Sequence, residues 1–533
     1  MTKYLLKRIV LGLLSVVVVV AIVMILIFTF TDREKIFNGD GIYTKMSNND
    51  REMYKYSQWE KYGYLDYVQY TDYLMALAKS GEITEETRAD AAKIARKVDG
   101  NSGVVAEYVA KFKEHYEAQG YKVLYLDAKM LTPTKLALGG KQQYFAYKDT
   151  PIINRMFSFF GRLVNIDNIH YVEDDIEDRG LTFTLYDPVY NTEDGTGEVV
   201  EKKFSPAIMG NGTRHKYLLY FDSRFPYIHQ NLVTIRLGTS YSVNRNVDVF
   251  DTMVQTQGAY VQSTMTYPTG LTESSADDLH TATYSSAGTH LSTPILSDRF
   301  ADDYTNVSPY RQNKSRLGYS FVIGVIASIL AYCVGLPIGI IMARKKDKLV
   351  DKLGTLYIIF IIACPSLAYI FMVQALGRAA GLPHYFDLMK ETPLMYILPI
   401  VSLAMPSIAN LMKWLRRYMI DQMNSDYVKF ARSGGLTEGE IFRKHIFKNA
   451  AIPIIHGIPG SILSSLVGAI ITEKIYYVPG VGNMLTNAIG LYDNAVIVGL
   501  TLFYALISIT AIILGDVLMS IADPRISFNS KAR

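Results

Sequence analysis

The stretch from residue 426 to residue 453, DYVKFARSGGLTEGEIFRKHIFKNAAIP, holds small, capping and basic residues in an order that suits protein docking rather than catalysis. Ala431 and Gly435 stand four positions apart, the spacing of one helical face, where small side chains let another protein's surface come close. Gly435 should then end the helix, because glycine readily adopts the left-handed conformation of a helix C-terminus.

A second helix is predicted directly after this turn. Thr437 with Glu440 three residues later is a capping-box pattern, so the helix should begin there and run through Lys444 before Pro453. A helix–turn–helix element of this kind, at the cytoplasmic face of a membrane, could be displaced by a partner protein bound to it. Taken alone, the segment also fits an ordinary basic loop beside a membrane. The residues expected to couple to a partner are Ala431, Arg432, Gly435, Leu436, Thr437 and Glu440.

A second candidate site follows the fifth apolar stretch of the chain, where Glu473 ends the apolar run. Helix-breaking residues come next: Pro479, Gly480 and Gly482. Tyr476 and Tyr477 are expected at the membrane interface, where aromatic side chains collect. Glu473 with the three helix breakers is a candidate outer gate, and the alternative is an interfacial anchor.

The remaining polar residues near the apolar stretches favour structural roles. His445 and His456 are expected to pack or form hydrogen bonds, because no Cys, Asp or second His stands at metal-ligand spacing. Asp516 is expected to interact with a helix end or to pair with Arg525. No metal site is predicted.

Six stretches without Asp, Glu, Lys or Arg organise the chain. Each has about twenty residues or more, enough at about 1.5 Å per residue to cross a hydrocarbon core of about 30 Å. The stretches are residues 9–30, 319–343, 353–373, 393–412, 450–472 and 495–514. They predict six membrane-spanning helices, with kinks invited at Pro365 and Pro406.

The orientation of these spans follows from the positions of Lys and Arg. Basic clusters precede the first stretch, lie between the second and third and between the fourth and fifth, and follow the sixth. Positively charged loops stay in the cytoplasm, so six crossings place all four clusters there. Both termini are therefore expected to be cytoplasmic and residues 31–318 outside. The first stretch is longer than a signal-peptide core and lacks a cleavage site, so it is expected to remain as a helix.

The composition fits a protein that is part membrane and part soluble. Hydrophobic residues make up 49% of the chain, and the net charge of +4 over 533 residues is too small to indicate nucleic-acid binding. The two cysteines, Cys333 and Cys364, both fall in predicted spans. This excludes a disulfide framework and predicts buried apolar packing for both thiols.

Residues 31–318 form a polar segment long enough for one domain or two. Helical patterns occur in its first half, at residues 82–98 and 104–119. Strand-like runs occur in its second half, at residues 181–186, 217–221 and 232–235. Residues 255–297 are rich in Ser, Thr, Ala and Tyr and fit either a loosely ordered or a β-rich segment.

Several motifs occur together in an order that resembles the permease subunits of ATP-binding-cassette (ABC) importers for oligopeptides, specifically the first of the two paired permeases of the dipeptide, oligopeptide and nickel group. The motifs are YLLKRIVLGLL in the first span, LGTSY at 237–241, ARSGGL at 431–436, HIFKNAAIP at 445–453, GAIITEKIYYVPGVG at 468–482, Asp493, and DPR at 523–525. The resemblance covers nearly everything from residue 315 to residue 528. Residues 31 to about 151 look like an enlarged extracellular insertion, similar to that of peptide permeases from some Gram-positive bacteria.

The chain departs from the family's cytoplasmic signature in two places. Lys429 and Phe430 stand where the general importer has Glu and Ala, so only Ala431 and Gly435 map onto the signature. Gly434 stands in place of the usual basic residue before the glycine, so no specific ion pair is carried over to that site, whereas the turn is.

The resemblance implies an α-helical type I ABC importer permease fold of six transmembrane helices with a mixed α+β extracellular domain. The implied domains are residues 1–30 (tail and first helix), 31–318 (extracellular domain) and 319–533 (permease, with its coupling loop at 416–449). The implied location is the plasma membrane of a Gram-positive bacterium.

The implied function is oligopeptide import by a transport subunit that is not itself an enzyme. The chain contains no G-x-x-x-x-G-K-[ST] loop for ATP phosphates, so ATP and Mg are expected on partner ATPase subunits and no cofactor on this chain. The implied partners are a second permease, two ATPases, an extracellular lipid-anchored peptide-binding protein, the oligopeptide and membrane lipid, without nucleic acid.

Two other classes stay open. In the first, the chain is a membrane-anchored surface receptor, although six spans with a coupling loop exceed what an anchor needs. In the second, it is an ABC exporter or mechanotransmission subunit, against which the VPGVG and DPR motifs favour the importer.

Overall fold

A computed structural model describes residues 2–166, 180–187, 192–193, 199–210, 216–222, 227–267, 269–284, 294–300 and 304–522. The chain begins with α1 (Thr2–Phe30), a long helix of Leu, Val and Ile. Its fully buried side chains, Val16, Val20 and Met24, recur every four residues on one face. The other faces of α1 are largely exposed and suit contact with lipid.

The first part of the polar domain, residues 31–151, is called the insertion below. It folds around an antiparallel sheet in the order β1-β5-β2, and Tyr70, Phe112, Tyr144 and Phe145 fill its interior. Its helices are α2 (Gly41–Lys45), α3 (Asn48–Lys61), α4 (Tyr70–Lys79), α5 (Glu85–Ala91) and α6 (Gly103–Ala118), with 3₁₀ turns at Arg33–Phe37 and Val98–Gly100. Its strands are β1 (Leu65–Gln69), β2 (Lys122–Leu126), β3 (Met130–Thr132), β4 (Lys135–Leu136) and β5 (Gln143–Asp149).

The two predicted helices of the insertion have different outcomes. The prediction at residues 104–119 is confirmed by α6, whereas the helix predicted at 82–98 is wrong in its extent because α5 ends at Ala91. Beyond it, the backbone N–H of Ala95 donates to the side-chain oxygen of Asn101 at 2.8 Å, a local bond that competes with continued helix.

The second part of the polar domain is mostly β-structure. Its helices are α7 (Ile152–Gly161), α8 (Val249–Val254) and α9 (Pro294–Arg299). Its strands are β6 (Val164–Ile166), β7 (Leu181–Thr184), β8 (Thr192–Glu193), β9 (Val199–Glu201), β10 (Ala207–Gly210), β11 (Lys216–Asp222), β12 (Tyr227–Gln230), β13 (Val233–Ile235), β14 (Ser263–Thr266), β15 (Thr272–Ser275), β16 (Asp277–Tyr284) and β17 (Tyr304–Pro309). One sheet has the order β12-β11-β10-β7, and β13–β6, β14–β15 and β16–β17 form antiparallel pairs.

The strand predictions for this part are confirmed. The runs at 181–186, 217–221 and 232–235 correspond to β7, β11 and β13. For residues 255–297 the β-rich interpretation is the one that the described residues support, since β14, β15 and β16 lie there. Residues 268 and 285–293 of that segment lie outside the described part.

The remaining chain forms the membrane bundle. Its helices are α10 (Arg316–Arg344), α11 (Leu349–Ala363), α12 (Ser366–Ala379), α13 (Ile397–Met423), α14 (Asp426–Ser433), α15 (Glu438–Glu440), α16 (Lys448–Tyr476), α17 (Val481–Gly490) and α18 (Asn494–Ala522). A 3₁₀ turn covers Pro393–Tyr396 and a π-helix covers Ile441–Phe447. The described residues contain 5 helices long and apolar enough to cross a membrane, or up to 6 if the bent pair α11 and α12 forms one span.

The third predicted span is a bent pair of helices, and the break confirms the kink expected at Pro365. The axes of α11 and α12 differ by 114°, and α11 with 15 residues is about 22 Å long, too short to cross alone. The break lies at Cys364 and Pro365, because proline disfavours helical backbone at the residue before it. Pro406, where a kink was also expected, lies inside the continuous helix α13.

The first and last spans lie side by side and run in opposite directions. Gly12 of α1 lies against Ile509 of α18, and the Arg8 guanidinium is 3.3 Å from the Asp516 carboxylate. The ends of the spans next to the polar domain are called the domain ends, and the others the loop ends. Asp516 also lies 3.4 Å from His456, so His456 is hydrogen-bonded as predicted, whereas Arg525 lies outside the described residues.

The prediction for the cysteines is wrong for Cys333. Cys333 is exposed on the surface of α10 and Cys364 is half-buried at the α11–α12 break. The position of Cys333 in an apolar run could not show which face of the helix it occupies.

Candidate functional site

The turn predicted between α14 and α15 is confirmed at the loop end of the bundle. The helix ends after Ser433, and Gly435 has a φ of 81°, in the left-handed region where glycine is favoured. The N–H of Gly435 donates to the carbonyl of Arg432 at 3.1 Å. Thr437 and Glu440 form the predicted capping box, in which each side chain accepts from the other residue's backbone N–H at 3.3 Å.

The predicted end of the second helix is wrong. From α15 the chain continues through the π-helix into α16, and Pro453 lies inside that helix. A proline within a long packed helix removes one hydrogen bond and need not end it. The turn is therefore joined to the fifth span without a break.

The prediction that Ala431 and Gly435 lie on one helical face is wrong. Ala431 is half-buried and packs with Val428 and Ile441, and Gly435 lies beyond the helix rather than on the same face. The large apolar side chain that projects is Phe430, which is 75% exposed. Sequence reasoning treated Phe430 as a departure from the family pattern. The signal that could have identified Phe430 is an aromatic residue in a short polar helix, at a position outside the series of buried apolar residues.

An ion pair closes the turn from outside. The Arg432 guanidinium donates to both carboxylate oxygens of Glu438, at 2.6 and 3.1 Å, and holds the pKa of that carboxyl below its usual value. Both side chains are exposed, so salt screens the pair. Leu436 lies between them and is 36% exposed.

The turn is tied firmly to the spans beside it. Val428, Ile441 and Ile446 are buried in one apolar cluster with Leu415 of α13. The Tyr427 hydroxyl donates to the side-chain oxygen of Gln422 at 2.6 Å and accepts from the amide of Asn449 at 3.0 Å. These contacts make α14, the π-helix and the start of α16 one packed unit.

At the domain end of α16, the structure brings three of the candidate gate residues together. Glu473 is fully buried, and its carboxylate accepts from the Ser320 hydroxyl at 2.6 Å and from the Asn483 N–H at 2.9 Å. Gly480 and Gly482 cover the carboxylate so closely that a Cβ on either would lie 2.3 or 2.9 Å from a Glu473 oxygen. The carboxylate thus fastens the α17 N-terminus to α10 and α16, where N–H groups favour negative charge.

Two details of the gate prediction are wrong. Tyr476 is buried, 1% exposed, and its hydroxyl hydrogen-bonds that of Ser402 at 2.9 Å, so it does not lie at a membrane interface. The helix is broken by Tyr477, whose φ is 56°, before the predicted breakers are reached. Pro479 is buried in the loop that follows. Tyr477 is 63% exposed.

A cavity of about 200 Å³ lies next to Glu473, between α12, α13 and α16. Its polar lining consists of Ser366, Tyr369, Ser402, Ser407, Ser461 and Thr472. Hydroxyl groups can donate and accept hydrogen bonds, so this lining can bind polar groups of either kind. Sequence reasoning did not find it, because isolated serines in apolar helices give no signal of a shared face.

A second buried carboxylate joins the polar domain to the bundle. Asp493, fully buried before α18, accepts from the Ser240 hydroxyl at 2.7 Å and from the N–H groups of Tyr241, Ser242 and Val243 at 3.0 to 3.1 Å. This gives the LGTSY motif and Asp493, which are far apart in sequence, one common role.

The insertion adds two more attachments at the same place. The Asn494 amide donates to the Tyr64 hydroxyl at 2.9 Å, and the Arg245 guanidinium donates to both oxygens of Asp40 at 2.7 and 2.9 Å. Burial opposes the charge of Asp40, but the bonds from Arg245 and Tyr54 outweigh it and lower its pKa. We call Asp493, Asn494 and their partners the junction.

Comparison with known proteins places this architecture in a family. Residues 335–528 match the model of the binding-protein-dependent transport system inner membrane component. The oligopeptide transport system permease protein AmiC of Streptococcus pneumoniae is 32% identical over 534 aligned positions, which cover 100% of this chain and 99% of AmiC. The chain belongs to the oligopeptide and dipeptide ABC permeases. It is a multi-pass membrane protein and a peptide permease subunit.

A second relative aligns over a smaller share of the permease. The dipeptide transport system permease protein DppB of Bacillus subtilis is 30% identical over 214 residues, 40% of this chain and 68% of DppB. AmiC aligns over the whole permease, polar domain included. Among solved structures, the MetNI methionine ABC transporter covers 38% of this permease and 93% of its own chain, at 12% identity and a TM-score of 0.32. The DPR motif lies outside the described residues.

Proposed function

We propose that this permease imports oligopeptides and that separate ATPase subunits drive it by moving the turn at residues 426–447. The observation that supports this most directly is Phe430. It is a large apolar side chain, 75% exposed, on a short helix at the loop end. Exposed aromatic residues surrounded by polar ones are typical anchors of a protein interface.

The path from the turn to the gate supports a mechanical role. The π-helix passes into α16, which has 29 residues and is about 44 Å long, and Glu473 lies near its far end. A displacement of the turn would move α16 as a rigid body and strain the contacts of Glu473 with Ser320 and Asn483. The hydroxyl-lined cavity beside Glu473 would then open alternately to the two sides.

The partners in this proposal follow from what one chain offers. Up to 6 spans form one side of a pathway, so a second permease would supply the other. Two ATPases would carry ATP and Mg, and a lipid-anchored binding protein would deliver peptide to the polar domain. In this proposal the polar domain is extracellular, both termini are cytoplasmic, and the host is a Gram-positive bacterium.

A substitution at Phe430 tests the proposal. Phe430→Ala should lower both peptide uptake and peptide-stimulated ATP hydrolysis by about tenfold or more in the complete complex in proteoliposomes. Thermal stability should not change, because the side chain packs little within its own chain. Phe430→Leu should retain most of the activity. Wild-type rates in Phe430→Ala would mean that this turn does not couple the subunits.

A further inference from the structure

The helix α7 has one packed and one free face at the domain end of α1. Met156, Phe159 and Phe160 pack against the apolar cluster that contains Val20 and Met24 of α1. These positions recur at the three- and four-residue spacing of a helical face. The attachment of α7 to the spans is therefore apolar and continuous with the membrane bundle.

The free face of α7 is apolar and uncovered. Ile153 is 64% exposed and Phe157 is 75% exposed, one helical turn apart. Beside them lie Asn154 and Ser158, small neutral residues that are also exposed. The helix contains no acidic residue. Exposing the apolar side chains of Ile153 and Phe157 to water is unfavourable in free energy. We therefore expect an apolar surface to cover them.

The position of α7 identifies what covers it. The Arg155 guanidinium lies 4.3 Å from the ring centre of Phe28 and 4.0 Å from that of Tyr64. Phe28 is two residues before the end of α1, so α7 lies at the end of the apolar helix that is long enough to cross a bilayer. At the same level, Leu26 and Phe30 of α1 are 50% and 80% exposed.

We propose that α7 lies in the membrane interface, in the leaflet on the side of the polar domain. Ile153 and Phe157 enter the outer part of the acyl chains, while Asn154 and Ser158 lie among the headgroups. Helices with one apolar and one polar face take this position, with the apolar face several ångström deep. The ligand of this surface is the lipid bilayer, and the assignment does not depend on what the permease transports. It fixes the height of the polar domain above the membrane.

Spin labels distinguish lipid from water and from protein at this surface. We would place a labelled cysteine at Phe157→Cys or Ile153→Cys, in a background with Cys333→Ala and Cys364→Ala, in the complete complex in lipid nanodiscs. The control is Leu138→Cys, because Leu138 is 85% exposed on the insertion. Collision rates with oxygen, which enters lipid, and with a water-soluble nickel chelate would be compared.

Labels at 153 and 157 should collide more with oxygen than with the nickel chelate, and the label at 138 should show the reverse. A label at Ser158→Cys should give an intermediate ratio, because it lies on the shallower edge. If labels at 153 and 157 are as accessible to nickel as the label at 138, the helix is in water and the proposal is wrong. If both reagents are excluded there, another protein covers the face, and the proposal is equally wrong.

Discussion

Asp493 and Glu473 are fully buried carboxylates that receive hydrogen bonds from backbone N–H groups and serine hydroxyls. Hydrogen bonds of this kind offset part of the loss of hydration that burial imposes on a carboxylate. Each carboxylate joins segments far apart in the chain, so removing it would leave several buried donors without acceptors. We infer that both act by positioning, Asp493 at the junction and Glu473 at the candidate gate.

Close packing around Glu473 gives a prediction for Gly482. A Cβ at Gly482 would lie 2.6 Å from the Cα of Ile470, whereas one at Gly490, in the same helix, would meet nothing within 4 Å. Gly482→Ala should therefore lower the melting temperature of the complex by several degrees and reduce uptake, and Gly490→Ala should change neither. Equal behaviour of the two variants in thermal unfolding would contradict the packing described here.

A buried histidine makes the polar domain sensitive to pH. His280 is 2% exposed, with Asp187 2.5 Å from one ring nitrogen and Asp278 2.8 Å from the other, and the rings of Tyr217 and Tyr220 pack beside it. Burial disfavours the charged ring, but the hydrogen bonds to the two aspartates outweigh this and raise the pKa of His280 to about 9. The charged form is therefore the one that stabilises the fold.

The direction of the pH effect follows from this raised pKa. The stabilisation is complete below about pH 6.5, the pKa of an unfolded histidine, and is lost as pH rises through about 9. His280→Gln should therefore lower the melting temperature most at pH 6 and least near pH 10. His115→Gln, at an exposed histidine, should give no such trend. A deficit of His280→Gln that is constant with pH would rule out the charged ring.

At the scale of elements, α15, the π-helix and α16 are joined into one helical unit. In the proposed mechanism this unit transmits the movement of the turn to Glu473. The turn just before this unit depends on Gly435, which has a φ of 81° with open space around its Cα. A side chain there meets no neighbour, so its cost is conformational alone, about 1 kcal/mol.

A matched pair of glycines tests the turn. Gly435→Ala should reduce ATP-driven peptide uptake by a few fold, because it disfavours the left-handed turn that aims Phe430. Gly439→Ala, in α15 and also without neighbours within 4 Å, should be neutral or slightly stabilising. Uptake in proteoliposomes with defined ATPase content measures both variants. Loss of uptake in Gly439→Ala alone would mean that the left-handed conformation of Gly435 is not what coupling requires.

Local patterns predicted the elements well, and contacts between distant residues explain the rest. The capping box at Thr437 and the helix α6 depend on neighbours in sequence, so they could be predicted. Pro365 breaks a span and Pro406 does not, which depends on the surrounding helices rather than on the proline. Glu473 contacts Ser320, 153 positions away, and the residues near either one in sequence do not predict this contact.

At the scale of the whole molecule, the insertion lies against the junction through Asp40 and Tyr64. In the proposed complex it is a platform or lid for the binding protein. Deleting residues 32–148 should leave membrane insertion intact, because α1 still precedes a polar loop, but should weaken uptake at low peptide concentration. The variant Arg245→Met, which removes only one attachment, should have a smaller effect. Unchanged uptake after the deletion would remove any role in delivery.

The proposed orientation is open to direct labelling. A cysteine at Leu138, 85% exposed on the insertion, should react with a membrane-impermeant thiol reagent on intact cells. A cysteine at Lys346, exposed between α10 and α11 at the loop end, should react only after the cells are opened. Native Cys333 and Cys364 would be replaced by alanine. The reverse labelling pattern would invert the topology and remove the basis for ATPase docking at the loop end.

The pairing of α1 with α18 has a consequence for how the protein is made. Arg8 and Gly12 of α1 contact Asp516 and Ile509 of a helix that begins at Asn494, roughly 460 residues after α1 ends. At about 5–20 residues per second, a ribosome needs roughly 20 to 90 s to synthesise that interval. During this time the first helix waits in the bilayer without its final neighbour, while the polar domain is already translated. Packing of α1 against α18 is therefore a late event of biogenesis.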